Sequence, residues 1–352
     1  MNSIALPYSR IRLGRSAILG GWVLLLAAAL LSMASGAMHL GVGEVAGALL
    51  RWLDSKPAQG DDAVVLMLRL PRMLMATLVG AALACSGATM QGLFRNPLVE
   101  PGLIGVSAGS ALGAIGMIVL GERLFGMRSG LAVSFGTAGA AFVGGLASTA
   151  LVYLLGRRRP GVATLLLAGV AINAIAMAGI GLLTYVANEH QLRDLSFWTL
   201  GSLGGTDWTR LAAVAPLMLL PLLLLPGHAR ALNAMLLGDR EASLLGFHPA
   251  WLRLRLIVLV ALSTSAAVAM CGVIGFVGLL VPHMLRLLWG PDHRLLLPAS
   301  ALAGATLLIA ADALARRVVA PAELPIGVIT ALLGGPFFLW LMMRMPIAEG
   351  DS

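Results

Sequence analysis

The run SAILGGWVLLLAAALLSMAS, Ser16 to Ser35, carries no charged side chain, and similar runs recur almost to the C-terminus. About 20 apolar residues wound as a helix rise about 30 Å, the thickness of a bilayer's hydrocarbon core. Hydrocarbon offers a backbone N–H or C=O no hydrogen-bond partner, so such a chain can cross only as helices or as a closed barrel. Barrel strands alternate apolar with polar residues and end in aromatic girdles. Here the runs are continuous and aromatic residues make up only 5%. The sequence therefore predicts an all-α polytopic membrane protein, a single transmembrane domain over residues 1–352.

The composition agrees: 59% of residues are hydrophobic and 11% charged, against about half and a quarter in soluble domains. Glycine, at 43 residues, suits helices that approach closely in lipid. The net charge of +8 comes from arginines scattered among short loops. They form no basic tract, so the charge reads as membrane orientation and not as nucleic-acid binding. Cys85 and Cys271 each lie inside an apolar run with no CxxC spacing, which makes them buried free thiols and leaves no metal site. Arg10, Arg12 and Arg15 precede the first run. That run is longer than a signal-peptide core, so it is an uncleaved first span with its N-terminus in the cytoplasm.

Spans are expected at 16–35, 73–94, 101–120, 131–155, 161–187, 211–226, 295–315 and 324–343. The stretch from Trp251 to Gly290 is too long for one helix, and its glycines 272, 275 and 278 predict two short helices. Ten spans result, with both termini in the cytoplasm, and the arginine excess lies moderately on that side. ALACSGATMQGLFRNPL followed by SAGSALGA is echoed by AVAMCGVIGFVGLLVPH followed by PASALAGA. With the ten-span count the two halves enter from opposite sides, as in the inverted repeats of transporters.

Several motifs point to chemistry. GVSAG, Gly105 to Gly109, has the form of a nucleophile elbow around Ser107. That elbow needs a strand–turn–helix setting and a histidine partner, whereas Gly105, Gly109 and Gly113 are spaced for helix packing. No HExxH occurs, and all six histidines fall at span ends or in loops. The only lysine, Lys56 in LDSKPAQG, is not in a P-loop, so this chain cannot cradle ATP that way. An ion-coupled carrier usually places ionisable groups deep in its spans. Asp312 is the only such carboxylate, and Arg316 four residues on supplies a local partner. Asn173 in LLLAGVAINAI either lines a path or bonds a neighbouring helix. RLPR, Arg69 to Arg72, is an interface anchor or a docking site for an acidic partner. LLGDREASLLGF, Leu236 to Phe247, puts three charges in a row, so it lies outside the hydrocarbon, on the cytoplasmic side. Read as a helix it sets Leu237, Glu241, Leu244 and Leu245 roughly on one side, between Gly238 and Gly246.

In order along the chain stand RLPR, GAALACSGATMQGLFRNPLVEPGLIGVSAGSALGA, LLLAGVAINAI, LLGDREASLLGF, GFVGLLVPHMLRLLWGPDHRLLLPASALAGA and AELPIGVITALLGGPFFLWLMMR. Together, from about residue 64 to 344, they resemble the permease family of ATP-binding-cassette (ABC) importers for ferric siderophores, haem and vitamin B12. The resemblance implies ten helices and a homodimer with the path along its two-fold axis, in the lipid of the bacterial inner membrane. It implies two copies of a cytoplasmic P-loop ATPase, which hold the ATP and magnesium, and a periplasmic binding protein. This chain would then be no enzyme and would bind no cofactor or metal.

The resemblance also assigns residues. Arg69, Arg72 and either Arg316 or Arg317 match positions that face the binding protein's acidic residues. Region 232–247 matches the coupling helix that sits in a cleft of the ATPase, with Leu237, Gly238, Asp239, Arg240, Glu241, Leu244, Leu245 and Gly246 as its contacts. Pro160, Gly161, Val162, Ala163 and Thr164 match the cytoplasmic gate. The stretches LTYVANEHQLRDLSFWTLGSLGG and MQGLFRNPLVEPGLIGVSAGS most resemble haem permeases, which makes haem the expected cargo. A ferric siderophore and vitamin B12 are the alternatives. His190 and Tyr185 in the first stretch are candidate haem ligands, against the plainer reading of a surface histidine in a polar loop, and a cargo that must leave again disfavours tight ligation. Outside this family, the competing readings are an ion-coupled secondary transporter and an intramembrane hydrolase at Ser107.

Overall fold

A computed structural model describes residues 7–36, 38, 40–54, 60–126, 130–157, 161–319 and 322–344. Among them the regular structure is helical throughout. Helices α1 (Pro7–Ala34) and α2 (Val42–Leu53) lead to α3 (Leu70–Leu93), which continues a short π-helical turn at Val64–Arg69. Next come α4 (Val106–Phe125), α5 (Leu131–Arg157), α6 (Val162–Val186) and α7 (Glu189–Leu200). They are followed by α8 (Trp208–Leu224), α9 (Ala229–Leu237), α10 (Asp239–Leu244) and α11 (Pro249–Cys271). The chain closes with α12 (Val277–Trp289), α13 (His293–Val318) and α14 (Ile326–Arg344). Eight helical segments are long and apolar enough to span a bilayer, and α12 and α14 are shorter apolar helices. The ten-span reading fits, with one correction. Between Trp251 and Gly290 the sequence predicts two short helices, but α11 is a full 23-residue span and only α12, of 13 residues, is short. Gly272, at φ +69°, ends α11, and Gly278 lies within α12 as a packing residue.

Small residues decide the interior. The span containing α3 is 78% buried and those of α11 and α13 are 67% and 61% buried, whereas α1, α5, α6 and α8 stay below 30%. In lipid, apolar surface gains little by leaving hydrocarbon, so close backbone approach drives helix association. A Cβ on Gly80 would strike the Gly304 carbonyl on α13, and one on Gly87 would strike the Gly278 carbonyl on α12. Gly109 and Gly113 likewise press α4 onto the α5 backbone at Gly144 and Ala140. The four-residue spacing in GVSAG and beyond thus serves packing.

The repeat is visible in what touches what. Helix α3 lies against α12 and α13 as α11 lies against α4 and α5. Helix α4 packs on α5 and α6 as α12 packs on α13 and α14. Both α4 and α12 start inside the bundle after an irregular stretch, and the residues before them, Gly105 (φ +87°) and Phe276 (φ +68°), are left-handed. Non-helical backbone at membrane depth is tolerated where protein covers it, and paired breaks are where transporters place their paths.

Gly80→Leu would drive a side chain into α13 and separate it from α3. Overpacking of this kind costs about 1–3 kcal/mol, so the thermal unfolding midpoint of the purified protein in detergent should fall, while Gly20→Leu, where a Cβ meets nothing within 4 Å, should leave it unchanged.

Candidate functional site

The expected site residues fall on two opposite ends of the bundle and one internal cavity. At one end, α9 and α10 connect α8 to α11. Gly238, at φ +134°, breaks the two helices apart, and Gly246, at φ +86°, follows the end of α10. Leu237 therefore belongs to α9 and does not share a helix with Glu241, Leu244 and Leu245, a correction to the single-helix reading. Leu237, Leu244 and Leu245 are nonetheless all exposed, Leu244 at 82%, and Arg240, Glu241 and Gly246 are exposed beside them. Leu244 and Leu245 are exposed apolar side chains beyond the span that ends at Leu237.

Asp239 behaves differently from its neighbours. Its carboxylate accepts from Arg95 Nη2 at 2.9 Å, just beyond α3, and from Arg253 Nη2 on α11. Asn233 on α9 donates to Asp292 Oδ1 at 2.6 Å and accepts from the His293 N–H at 3.0 Å, which ties α9 to the start of α13. Burial raises the Asp292 carboxyl, but the Arg294 N–H and the Asn233 amide outweigh it, and the group titrates below its ordinary range. At the same end of the bundle, Gly161 precedes α6 in extended backbone; it and Ala163 are exposed, and Val162 and Thr164 are half-buried. Pro160, the first of the expected gate residues, lies outside the described residues.

A cavity of about 470 Å³ opens where the two helix breaks meet; Glu100, Gly102, Ser107, Asn173, Thr264 and Gly275 are among its lining residues. Asn173 both lines this cavity and bonds a neighbouring segment. Its Nδ2 donates to the Gly102 carbonyl at 3.2 Å, and its Oδ1 has no hydrogen-bond partner among the described residues. Among the described residues no histidine lines the cavity beside Ser107, so the serine–histidine pair of a nucleophile elbow is not assembled here. Glu100 was not singled out from the sequence. Its carboxylate lines the cavity and accepts the Phe276 N–H. An acid placed between prolines in RNPLVEPG, where the run of spans is interrupted, was the available signal.

At the other end the expected docking arginines have mostly found partners inside the chain. Arg69 is only 8% exposed and donates to the carbonyls of Met33 at 2.5 Å and Met38 at 2.6 Å. Arg316 donates to the Ser35 carbonyl at 2.8 Å, to Ser32 Oγ at 2.8 Å and to Asp312 Oδ2 at 3.0 Å. These contacts satisfy C=O groups that the end of α1 leaves free. Arg72 grips Asp312 at 2.8 Å and Glu323 at 2.9 Å. The Arg69 guanidinium is held by these two carbonyls beside the end of α1. Arg317 is exposed, and Glu323, at 45% side-chain exposure, is the one accessible acid on Arg72. Tyr185 and His190 also project outward at this end, at 88% and 87% exposure, with Asp194 3.7 Å from the His190 ring.

Residues 24–344 match the FecCD transport family. The hemin transport system permease protein HmuU of Yersinia pestis is 50% identical over 280 residues, covering 79% of this chain and 83% of the relative. The vitamin B12 import system permease protein BtuC of Salmonella typhi is 42% identical over 325 residues, covering 92% and 93%. A solved structure described as an inward-facing conformation of a metal-chelate type ABC transporter superposes with a TM-score of 0.82 at 34% identity. It covers 94% of this chain and 100% of that one.

Two outcomes check the site. Arg72→Ala strips a buried carboxylate of its main partner and should destabilise by about 3 kcal/mol, whereas Arg317→Ala should stay within about 0.5 kcal/mol; thermal unfolding in detergent reads both.

Proposed function

Since the chain belongs to the FecCD transport family, the multi-pass permease subunits of ABC importers whose ATPase activity lies in a separate chain, we propose that it carries haem across the bacterial inner membrane, from periplasm to cytoplasm. The observation that carries the cargo is the 50% identity to a hemin permease, against 42% to the vitamin B12 permeases. Vitamin B12 is the second reading, favoured by the wider span of that match, 92% of this chain.

In this reading two copies of the chain form the path, and the apolar residues left exposed on α6, among them Leu167, Ile175 and Leu182, face the second copy or lipid. Both termini lie in the cytoplasm. ATP and magnesium bind two copies of a P-loop ATPase, and this chain needs no cofactor of its own. The patch of Leu237, Leu244 and Leu245, with Arg240, Glu241 and Gly246, seats in a cleft of that ATPase. Gly161, Val162, Ala163 and Thr164 form the gate beside it, where small side chains can constrict only by backbone approach. Asn173 faces the path from the cavity. A periplasmic binding protein docks at the opposite end. Arg317 meets its acids directly, and Arg72 meets them where an incoming carboxylate takes the place of Glu323. Arg316 serves this docking from behind, by fixing Asp312.

The test is uptake into proteoliposomes holding this permease with its ATPase, in the presence of the binding protein. Haem should accumulate with ATP, and cobalamin and ferrichrome should not. The permease alone should hydrolyse no ATP. Cobalamin uptake without haem uptake would replace the cargo, and haem uptake by this chain alone under an ion gradient would replace the mechanism.

A further inference from the structure

Three neighbouring charges stand on α10, and they do not face the same way. Arg240 and Glu241 are exposed with the leucines, on the surface assigned to the ATPase. The Asp239 carboxylate is bound instead by two arginines of the permease body, 144 positions upstream and 14 downstream. Arg95 belongs to the end of α3 and Arg253 to the first turns of α11. One carboxylate therefore joins α10 to two of the three most buried helices of the bundle.

The pairs are not there mainly for stability. The Arg95 side chain is 38% exposed and that of Asp239 43%, and ion pairs so open to water are weak contributors. Their value is positional, and Arg95 shows why. It is one of the two non-glycine residues at positive φ among the described residues, at +53°. The other is Phe276. That left-handed turn closes α3, the Asn96 N–H reaching back to the Gln91 carbonyl at 3.1 Å, and so fixes the direction in which the chain leaves the helix at Arg95. Arg95 opens the irregular stretch between α3 and α4. Five residues on, Glu100 lines the cavity and accepts the N–H of Phe276, the left-handed residue before α12. A short covalent path thus runs from Arg95 in the Asp239 clasp to Glu100 in the cavity, which is hydrogen-bonded to the left-handed Phe276.

We infer that Asp239 is a positioning residue that transmits movement of α10 to the two helix breaks around the cavity, through Arg95 and Arg253, and is not itself a contact with the ATPase. This rests on the reading of α10 as the ATPase-coupling element. It divides α10 by chemistry: an apolar outer surface that grips, and an inward carboxylate that transmits.

The experiment uses the complete transporter, reconstituted with its ATPase and binding protein, and reads three quantities: ATPase retained on purification, ATP hydrolysed, and cargo carried per ATP. Asp239→Asn should keep the ATPase and its hydrolysis but carry about tenfold less cargo per ATP, within the usual range of coupling between two sites. Arg95→Gln should do the same, the double variant should be no worse than either single one, and Asp239→Glu should restore most of the transport. Unchanged cargo per ATP in Asp239→Asn overturns the inference, and so does loss of the ATPase from that variant. If Asp239→Asn does not fold, unchanged cargo per ATP in Arg95→Gln overturns it alone. Leu244→Asp separates the underlying reading. It should release the ATPase, and retention of the ATPase in that variant would refute α10 as the coupling element whatever Asp239 does.

Discussion

Hydrocarbon cannot hydrogen-bond to a peptide group, and nearly every feature of this chain follows from that constraint. It forces the spans to be helices. It places the exceptions, residues 99–105 and 272–276, within the bundle, where α3, α6 and α11 pack against the first of them. It also explains the arginines at the end of α1. Carbonyls that a helix end leaves unpaired must find donors, and Arg69 and Arg316 supply them.

With the apolar surface of lipid and protein so alike, shape takes over from hydrophobicity as the organising term. The pairs Gly80 with Gly304 and Gly87 with Gly278 let α3 sit at the centre. Around that rigid centre the polar groups fall into three sets: the Arg72–Asp312–Arg316 cluster at one end, Glu100 and Asn173 in the cavity, and Asp239 with its two arginines at the other end. Each set joins elements far apart in sequence. A transporter needs such links, because an event at one surface has to change the packing around the path.

Family membership came from long motifs in the right order, and those motifs were legible because they lie along the chain. The coupling region is an example: LLGDREASLLGF showed its charges, its leucines and its bounding glycines without any coordinates. The directions of the side chains were not legible. Asp239 and Glu241 look equivalent in the sequence, and one turns into the bundle while the other turns out. Arg69 and Arg72 flank one short turn of RLPR, yet Arg69 is held by two carbonyls beside the end of α1 and Arg72 shares its guanidinium between a buried and an exposed acid.

The sequence by itself determined that this is a helical membrane protein, that it cannot bind ATP through a P-loop, and which transporter family it belongs to. Those conclusions rest on hydropathy, motif content and order, which are local properties of a chain. Only the tertiary structure decided which arginines are spent on the fold, where the two helix breaks meet, and that Glu100 is buried between them. These depend on contacts between residues as much as 284 positions apart. Distances of that kind are set by how glycines let helices close on one another, and no local pattern records them.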